Sequence, residues 1–227
     1  MPEGELYDRQ RELRLSIPSA VTIAGLGGIG SWVAIDSAMS GVENLYLFDP
    51  DTLEESNRNR LPFCQGSINR LKVEVVRDYI LAIRPEAIVV AVAQKLEGVL
   101  LDIQISVSDI IVDCTDSPKS QFAIYNRCKE KGKRYIRAGY DGTSIMVTGA
   151  VSGWIKTDVE EENYAINPSW VVPAQVVAAL TVGRMMKYPD QEIGLDISEI
   201  GNPVVQRQRR LTARCAQPLG TATRRRR

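Results

Sequence analysis

Residues 25–31 read Gly-Leu-Gly-Gly-Ile-Gly-Ser, and they stand between a short apolar run, Ala20 to Ala24, and a helical stretch from Gly28 to Ser40. A strand that enters a glycine-rich turn and leaves as a helix opens a βα unit. Its helix N-terminus and bare backbone are suited to the oxygens of a phosphate. A second apolar run, Leu45 to Phe48, ends on Asp49, placed to accept hydrogen bonds from ribose hydroxyls. This segment alone commits the chain to a sheet with parallel crossovers, because two strands joined through a helix run the same way.

The rest of the chain keeps that alternation. Helical spacing of Ile68, Leu71, Val75, Tyr79 and Ile83 predicts a helix over 68–83, stopped by Pro85. Ala87 to Val92 and Asp109 to Val112 read as strands, followed by a helix from about Ser117 to Lys131 with Gly132 as its stop. Tyr135 to Ala138 and Ser144 to Val151 read as strands joined by a turn short enough for antiparallel pairing. Trp170 to Lys187 reads as a last helix. The expected fold is therefore α/β, a Rossmann-like, doubly wound, mostly parallel (mixed) sheet with helices on both faces. Residues 1–19 are expected to form an N-terminal helical arm and 20–190 a nucleotide-binding domain with an acidic loop over 155–168. Residues 191–227 are expected to form a tail, basic and disordered from 203.

Composition narrows the chemistry. None of the 227 residues is a histidine, which excludes Ser-His-Asp and Cys-His hydrolysis and His-ligated zinc. The cysteines, Cys64, Cys114, Cys128 and Cys215, form no C-x-x-C pair, so no zinc is expected. The N-terminal residues are charged, with no apolar signal core. The longest apolar stretch, Trp170 to Met186, contains Pro173, Gln175 and Arg184 and reads as a buried helix. A cytoplasmic, reduced protein with no membrane partner is expected. The zero formal net charge is uneven. Beyond residue 202 lie eight arginines and no acid, which leaves 20 basic and 28 acidic groups, a net −8, in the first 202 residues. The basic tail reads either as an electrostatic arm for an acidic partner or as a non-native extension.

The choice of nucleotide rests on the residues beyond Asp49. The run Asp51-Thr-Leu-Glu-Glu-Ser-Asn-Arg-Asn-Arg60 precedes Lys72 early in a helix, and Asp113-Cys114-Thr115-Asp116 closes a strand. NAD binding requires none of these. A triphosphate with Mg²⁺ requires cations for its phosphoryl oxygens and a carboxylate for its metal.

In these residues the chain resembles the adenylating domain of the E1-like (ubiquitin-activating) adenylyltransferase superfamily, which includes the sulfur-carrier activators of molybdopterin and thiamine synthesis. That family shows G-x-G-G-hydrophobic-G-S, an Asp, S-N-L-x-R-Q, a Lys and D-C-T-D. The matches are Gly25, Gly27, Gly28, Gly30 and Ser31, then Asp49, Ser56-Asn57, Arg60, Lys72 and Asp113 to Asp116. Tyr7-Asp8-Arg9-Gln10 resembles the family's N-terminal R-Y-x-R-Q, and the likeness covers roughly residues 5 to 190. The resemblance implies ATP and Mg²⁺ as cofactors. It implies that the glycines and Asp49 bind the nucleotide, and that Asn57, Arg60 and Lys72 contact the triphosphate. It further implies that Asp116 holds Mg²⁺ and that Arg9 reaches across a homodimer to the partner's nucleotide, with Leu6, Leu13 and Ile17 resting on the dimer interface. The implied reaction is adenylation of a carboxylate, most often the Gly-Gly end of a ubiquitin-like or sulfur-carrier protein. That nucleophile is already ionised at neutral pH and needs no histidine base.

Departures and alternatives remain. Arg58 and Leu61 stand where the family has Leu and Gln, and the stretch 152–172 has no cysteine for a thioester. Cys64 and Cys215 are weak candidates for that role, and Cys114 and Cys128 read as small apolar core residues. Arg60 also reads as a solvated loop arginine, Lys72 as a side chain snorkelling at a helix edge, and Asp116 as a helix cap. Other readings of the whole chain are adenylation of a threonylcarbamoyl carboxylate on tRNA, a non-catalytic subunit of an E1-like heterodimer, and an NAD oxidoreductase.

Overall fold

A computed structural model of the chain describes residues 5–63, 65–151, 169–189 and 191–199. The acidic loop expected over 155–168, Cys64, Cys215 and the basic tail from 203 lie outside them. Among the described residues seven strands alternate with five helices: β1 (Ala20–Ala24), α1 (Gly28–Met39), β2 (Asn44–Phe48), α2 (Lys72–Ile83), β3 (Ile88–Val92), α3 (Gly98–Val107), β4 (Ile110–Asp113), α4 (Pro118–Glu130), β5 (Arg134–Asp141), β6 (Ser144–Thr148), α5 (Val171–Met186) and β7 (Ile193–Asp196). The sheet order is β3-β2-β1-β4-β5-β6-β7. β1, β2, β3, β4 and β5 pair in parallel and β5–β6 antiparallel, which is the expected mixed doubly wound sheet.

The order reverses between β1 and β4, and in such a sheet ligands bind beyond the carboxyl ends of the strands at that point. All five residues of β1 and all four of β4 are buried, as central strands covered on both faces must be. On one face α5 packs along α1, burying Val33, Ala34, Ala174, Val177 and Ala178. On the other, α3 and α4 enclose Phe48, Leu101, Ile105, Ile111, Ile124, Cys128 and Tyr135. Side chains on β5 alternate accordingly. Arg134 donates to the carbonyls of Arg184 and Met185 on α5, while Tyr135 packs with α4.

Helix α2 corrects the expectation of a helix over 68–83. Asn69 takes a left-handed φ of 69° and its N–H donates to the Leu53 carbonyl. Leu53 N–H returns a bond to the Arg70 carbonyl, and Thr52 bridges Leu71. Residues 69–71 thus serve the preceding loop, and the helix starts at Lys72. Its buried stripe is also different: Val73, Val76 and Ile80 face inward with Val75, while Tyr79 and Ile83 are exposed. The segment carries two apolar stripes, and the sheet takes the other one.

Two elements were not legible. Helix α3 is apolar on most of its surface, with Val99, Ile103 and Val107 exposed, and so shows no amphipathic signal. β7 is four residues long and lies within the segment read as tail. The last strand of the antiparallel pair ends at Thr148 rather than Val151. The N-terminal arm is a 3-10 helix, Glu5–Leu13. Tyr7, 4% exposed under the Arg84 guanidinium, anchors it, while Leu6 and Leu13 stay exposed. Gln10 donates to the Ser40 carbonyl at 2.9 Å. Among the described residues no helix is long and apolar enough to cross a membrane.

The chain divides into two compact units, residues 1–195 and 196–227. In the second, the described residues end in a 3-10 turn, Ile197–Glu199, with Ser198 N and Oγ on Asp196 Oδ1.

Candidate active site

The four glycines of the β1–α1 turn and the first turn of α1 differ in what they do. Gly25 has φ +83°, and a Cβ there would meet the Cys114 carbonyl oxygen at 2.9 Å. A Cβ on Gly30 would sit 1.8 Å from the Gly25 carbonyl oxygen, so the helix start can close on the strand end only at a glycine. A Cβ on Gly28 would lie 2.9 Å from Cδ of Arg60 and 3.3 Å from Cβ of Ala174. A Cβ on Gly27 would meet nothing within 4 Å. Three glycines are thus explained by protein packing, and the fourth leaves backbone open for the close approach of another molecule. Ser31 closes the loop, its buried hydroxyl donating to the Leu26 carbonyl at 2.8 Å.

Asp49 pins the loop from the end of β2. Its Oδ2 accepts from Leu26 N–H at 2.6 Å and its Oδ1 from Asp51 N–H at 2.8 Å. Lys72 Nζ lies 3.9 Å from Asp49 Oδ1 and 2.8 Å from Asp51 Oδ2. Burial pushes the Asp49 carboxyl above the ordinary carboxylate value, against the pull of Lys72 and the two amides. Lys72 is the first residue of α2, and the bridge at Leu71 sets where that helix begins. The expected lysine is therefore brought to the Asp49 end of the sheet, held between two aspartates. Asp51 went unnoticed in the sequence as a partner; its signal was the Asp-Pro-Asp spacing.

Arg60 reaches the same loop from the other side. Its Nη1 donates to the Ser56 carbonyl at 2.9 Å and to Asn59 Oδ1 at 2.8 Å, and its aliphatic stem lies over Gly28. Trp32 Nε1–H, on α1, donates to the Arg60 carbonyl at 2.9 Å. Asn57 is buried as a local brace: its Oδ1 accepts from Glu54 N–H at 3.1 Å in a reciprocal cap of the 3-10 turn Glu55–Asn59. Asn59 ties that turn to the entry of α5 through the Ser169 carbonyl at 2.9 Å. Trp32 and Asn59 were likewise missed as site residues.

At the end of β4, Asp113 is fully buried. Its Oδ1 accepts from Thr115 N–H and Oγ1, and its Oδ2 from the Tyr135 hydroxyl at 2.8 Å. Burial raises its pKa, with these bonds and Arg137 opposing. The turn so fixed presents Asp116, exposed, just before α4. The cap of α4 is Ser117, whose Oγ accepts from Ser120 N–H at 3.3 Å. Reading Asp116 as the cap is therefore overturned. Among the described residues no three His, Cys, Asp or Glu side chains form a metal cluster. A single carboxylate sharing Mg²⁺ with phosphates requires no such cluster.

Cys114 is half-buried; desolvation and Asp113 push its thiol well up. Burial carries Cys128 up to about 12. Neither is a thiolate at neutral pH. Arg9 lies exposed on the arm.

The ThiF family model matches residues 7–172. The chain is 31% identical over 145 residues to the sulfur carrier protein ThiS adenylyltransferase of Escherichia coli K12, covering 62% of this chain and 57% of that one. It is 30% identical over 141 residues to the tRNA threonylcarbamoyladenosine dehydratase of Haemophilus influenzae, covering 61% and 54%. The chain thus spans somewhat more than half of these two curated relatives. Among solved structures, Escherichia coli MccB with ATP superimposes with a TM-score of 0.66 at 23% identity, over 80% of this chain and 61% of that one, a likeness of fold.

Proposed function

The chain belongs to the ThiF family, and from that premise we propose that it adenylates a carboxylate with ATP and Mg²⁺. A carboxylate oxygen attacks the α-phosphorus, the bond from that phosphorus to the bridging oxygen breaks, and pyrophosphate leaves with the electron pair. The observation that carries this reading is the loop at Gly27. Gly25, Gly28 and Gly30 are accounted for by protein contacts, while Gly27, the N-cap of α1, has open space where a Cβ would stand.

In this reading Asp49 receives ribose hydroxyls, and Asn57, Arg60 and Lys72 serve the triphosphate. Fixed cations offset the repulsion between two anionic reactants and stabilise the charge on the phosphoryl oxygens in the transition state. Lys72, tied to Asp51 in the free protein, exchanges that exposed partner for phosphate oxygens. Mg²⁺ held by Asp116 and the phosphates would supply further neutralisation of the leaving pyrophosphate. Cys114 and Cys128, whose thiols are pushed up, take no part in this reading, and the product proposed is the acyl adenylate.

The acyl substrate in this reading is the C-terminus of a ubiquitin-like or sulfur-carrier protein, in keeping with the ThiS adenylyltransferase likeness. A threonylcarbamoyl carboxylate on tRNA is the second reading, favoured by the likeness to the dehydratase. Exchange of labelled pyrophosphate into ATP, run with Gly-Gly-ending carrier proteins and with bulk tRNA, tests both. Carrier-dependent exchange supports the first and tRNA-dependent exchange the second. Calorimetry showing tight NAD binding and no Mg²⁺-dependent ATP binding would sink adenylation altogether. The site is further proposed to be shared in a homodimer through Arg9. Mixing Arg9→Ala with Asp116→Ala chains should then restore activity, and a fully active Arg9→Ala monomer overturns the sharing.

A further inference from the structure

Arg137 lies on β5 directly opposite Asp113 of β4, and its alternation with Arg134 and Ile136 places it on the Tyr135 face, the one covered by α4. It is 8% exposed, and its Nε and Nη1 are buried without a hydrogen-bond partner. Other buried arginines of the described residues fare differently. Arg84 bonds the Ala38 carbonyl and Glu86, and both terminal nitrogens of Arg184 are bonded, to the Val147 carbonyl and Glu192, although its Nε has no partner. Asp113 lends Arg137 a counter-charge, but both its oxygens are taken by Thr115 and Tyr135. A second group on this face is also unsatisfied. Gln121, in the first turns of α4 and 4% exposed, donates Nε2–H to the Thr115 carbonyl while its Oε1 is buried without a partner. Each such group is destabilising while it is left unpaired.

Resting on the adenylation reading, we propose that Arg137 and Gln121 form the receptor for the C-terminal carboxylate of the peptide that is adenylated. The chemistry is complementary. A guanidinium offers paired N–H donors that match a carboxylate, and an amide oxygen accepts the N–H of the last peptide bond. The topology fits as well. Asp49, the glycine loop and Asp116 follow β2, β1 and β4, and Arg137 stands one strand further, about 5 Å on. A nucleotide lying over β2, β1 and β4 then meets the acyl group arriving from β5. The near-complete burial of both groups favours a terminal residue with no side chain, hence glycine.

The test uses the full chain with Mg²⁺ and AMPCPP, a nucleotide whose α–β bridge cannot be cleaved. N-acetyl-Gly-Gly is titrated by saturation-transfer NMR, with N-acetyl-Gly-Gly amide as the control. The expected result is saturable binding of the acid and none of the amide. Arg137→Gln and Gln121→Leu should each weaken the acid by at least about tenfold, with AMPCPP affinity unchanged within about twofold. Arg137→Lys, which keeps the charge and loses the fork, should also weaken it and carries the test if Arg137→Gln does not fold. Absence of peptide binding to the wild type, peptide binding indifferent to Arg137, or an equal loss of AMPCPP binding each overturns the proposal. Arg137-dependent binding of N6-threonylcarbamoyladenosine in place of the peptide overturns the peptide assignment. A wild type that binds the peptide but not AMPCPP refutes adenylation and leaves the receptor standing.

Discussion

The carboxyl ends of β2 and β4 each finish on a buried aspartate whose pKa is raised, yet the two carboxylates are satisfied in different ways. Asp49 is surrounded by fixed donors, the N–H groups of Leu26 and Asp51, with Lys72 as a nearby cation. Asp113 takes one fixed N–H, two hydroxyls that rotate, and a cation in Arg137 that does not bond it. The β2 end is rigid and internally neutralised before any ligand arrives. The β4 end holds a loop in place while leaving hydrogen-bonding capacity unused beside it. On the proposed reading, the nucleotide takes the preorganised cradle and the acyl group completes the unfinished one.

The largest expected effect comes from breaking the cradle. Gly30→Ala places a methyl 1.8 Å from a backbone oxygen, so the chain must part β1 from α1. It should lose about 3 kcal/mol or more in urea unfolding, at the upper end of overpacking costs. Gly27→Ala meets nothing within 4 Å and should unfold like the wild type, yet bind ATP at least about tenfold more weakly. Equal stabilities for the two variants would contradict the packing described.

Next come the charged groups. Asp116→Ala and Arg60→Ala should each slow adenylation by about 10²-fold, the usual scale for one preorganised electrostatic group. Pyrophosphate exchange measures the rate, and circular dichroism checks that the fold is unchanged. Wild-type rates in Arg60→Ala would return that side chain to a surface arginine.

Much of this arrangement was legible before the fold was known. The glycine spacing, Asp49 and the order of the later motifs pointed to a nucleotide-binding, doubly wound sheet, and the turn at Asp141–Gly142 marked the antiparallel hairpin. What escaped was of two kinds. Helix α3 presents apolar side chains to solvent, and α2 buries a different stripe from the one its spacing suggested, because burial is decided by which face meets the sheet. Trp32 bonds a partner distant in sequence, and Arg137 and Gln121 are marked by buried polar atoms without one; no local pattern records either.

The two aspartates can be separated directly. Asp49→Asn must turn an amide N–H₂ toward the N–H of Leu26 or of Asp51, donor against donor, and should cost about 1–3 kcal/mol. In Asp113→Asn the amide can face Tyr135, whose hydroxyl turns to accept it, so the cost should be smaller. The pH dependence has a definite sign. Asp113 binds its proton more tightly folded than unfolded, so its contribution is full below about pH 4 and is lost as pH rises through its raised folded value. Thr115, Tyr135 and Arg137, the groups facing it, oppose the rise without cancelling it. Asp113→Asn should therefore flatten the fall in stability above pH 4 seen in urea titrations, and an unchanged slope would show that the carboxyl titrates normally.

The smallest effect belongs to Trp32, which supports Arg60 without facing a substrate in this reading. Trp32→Phe keeps a ring on α1 and removes the N–H that meets the Arg60 carbonyl at 2.9 Å. One neutral hydrogen bond is worth about 1 kcal/mol, so stability should fall by that much. The guanidinium keeps its own bonds to the Ser56 carbonyl and Asn59 Oδ1, so Arg60 is loosened rather than lost. Adenylation should then slow by less than about tenfold, well short of the Arg60→Ala effect. In the double variant the Trp32 change should add nothing, because a brace has no effect once the side chain it braces is gone. Additive losses in that cycle would instead give the indole a role of its own at the nucleotide.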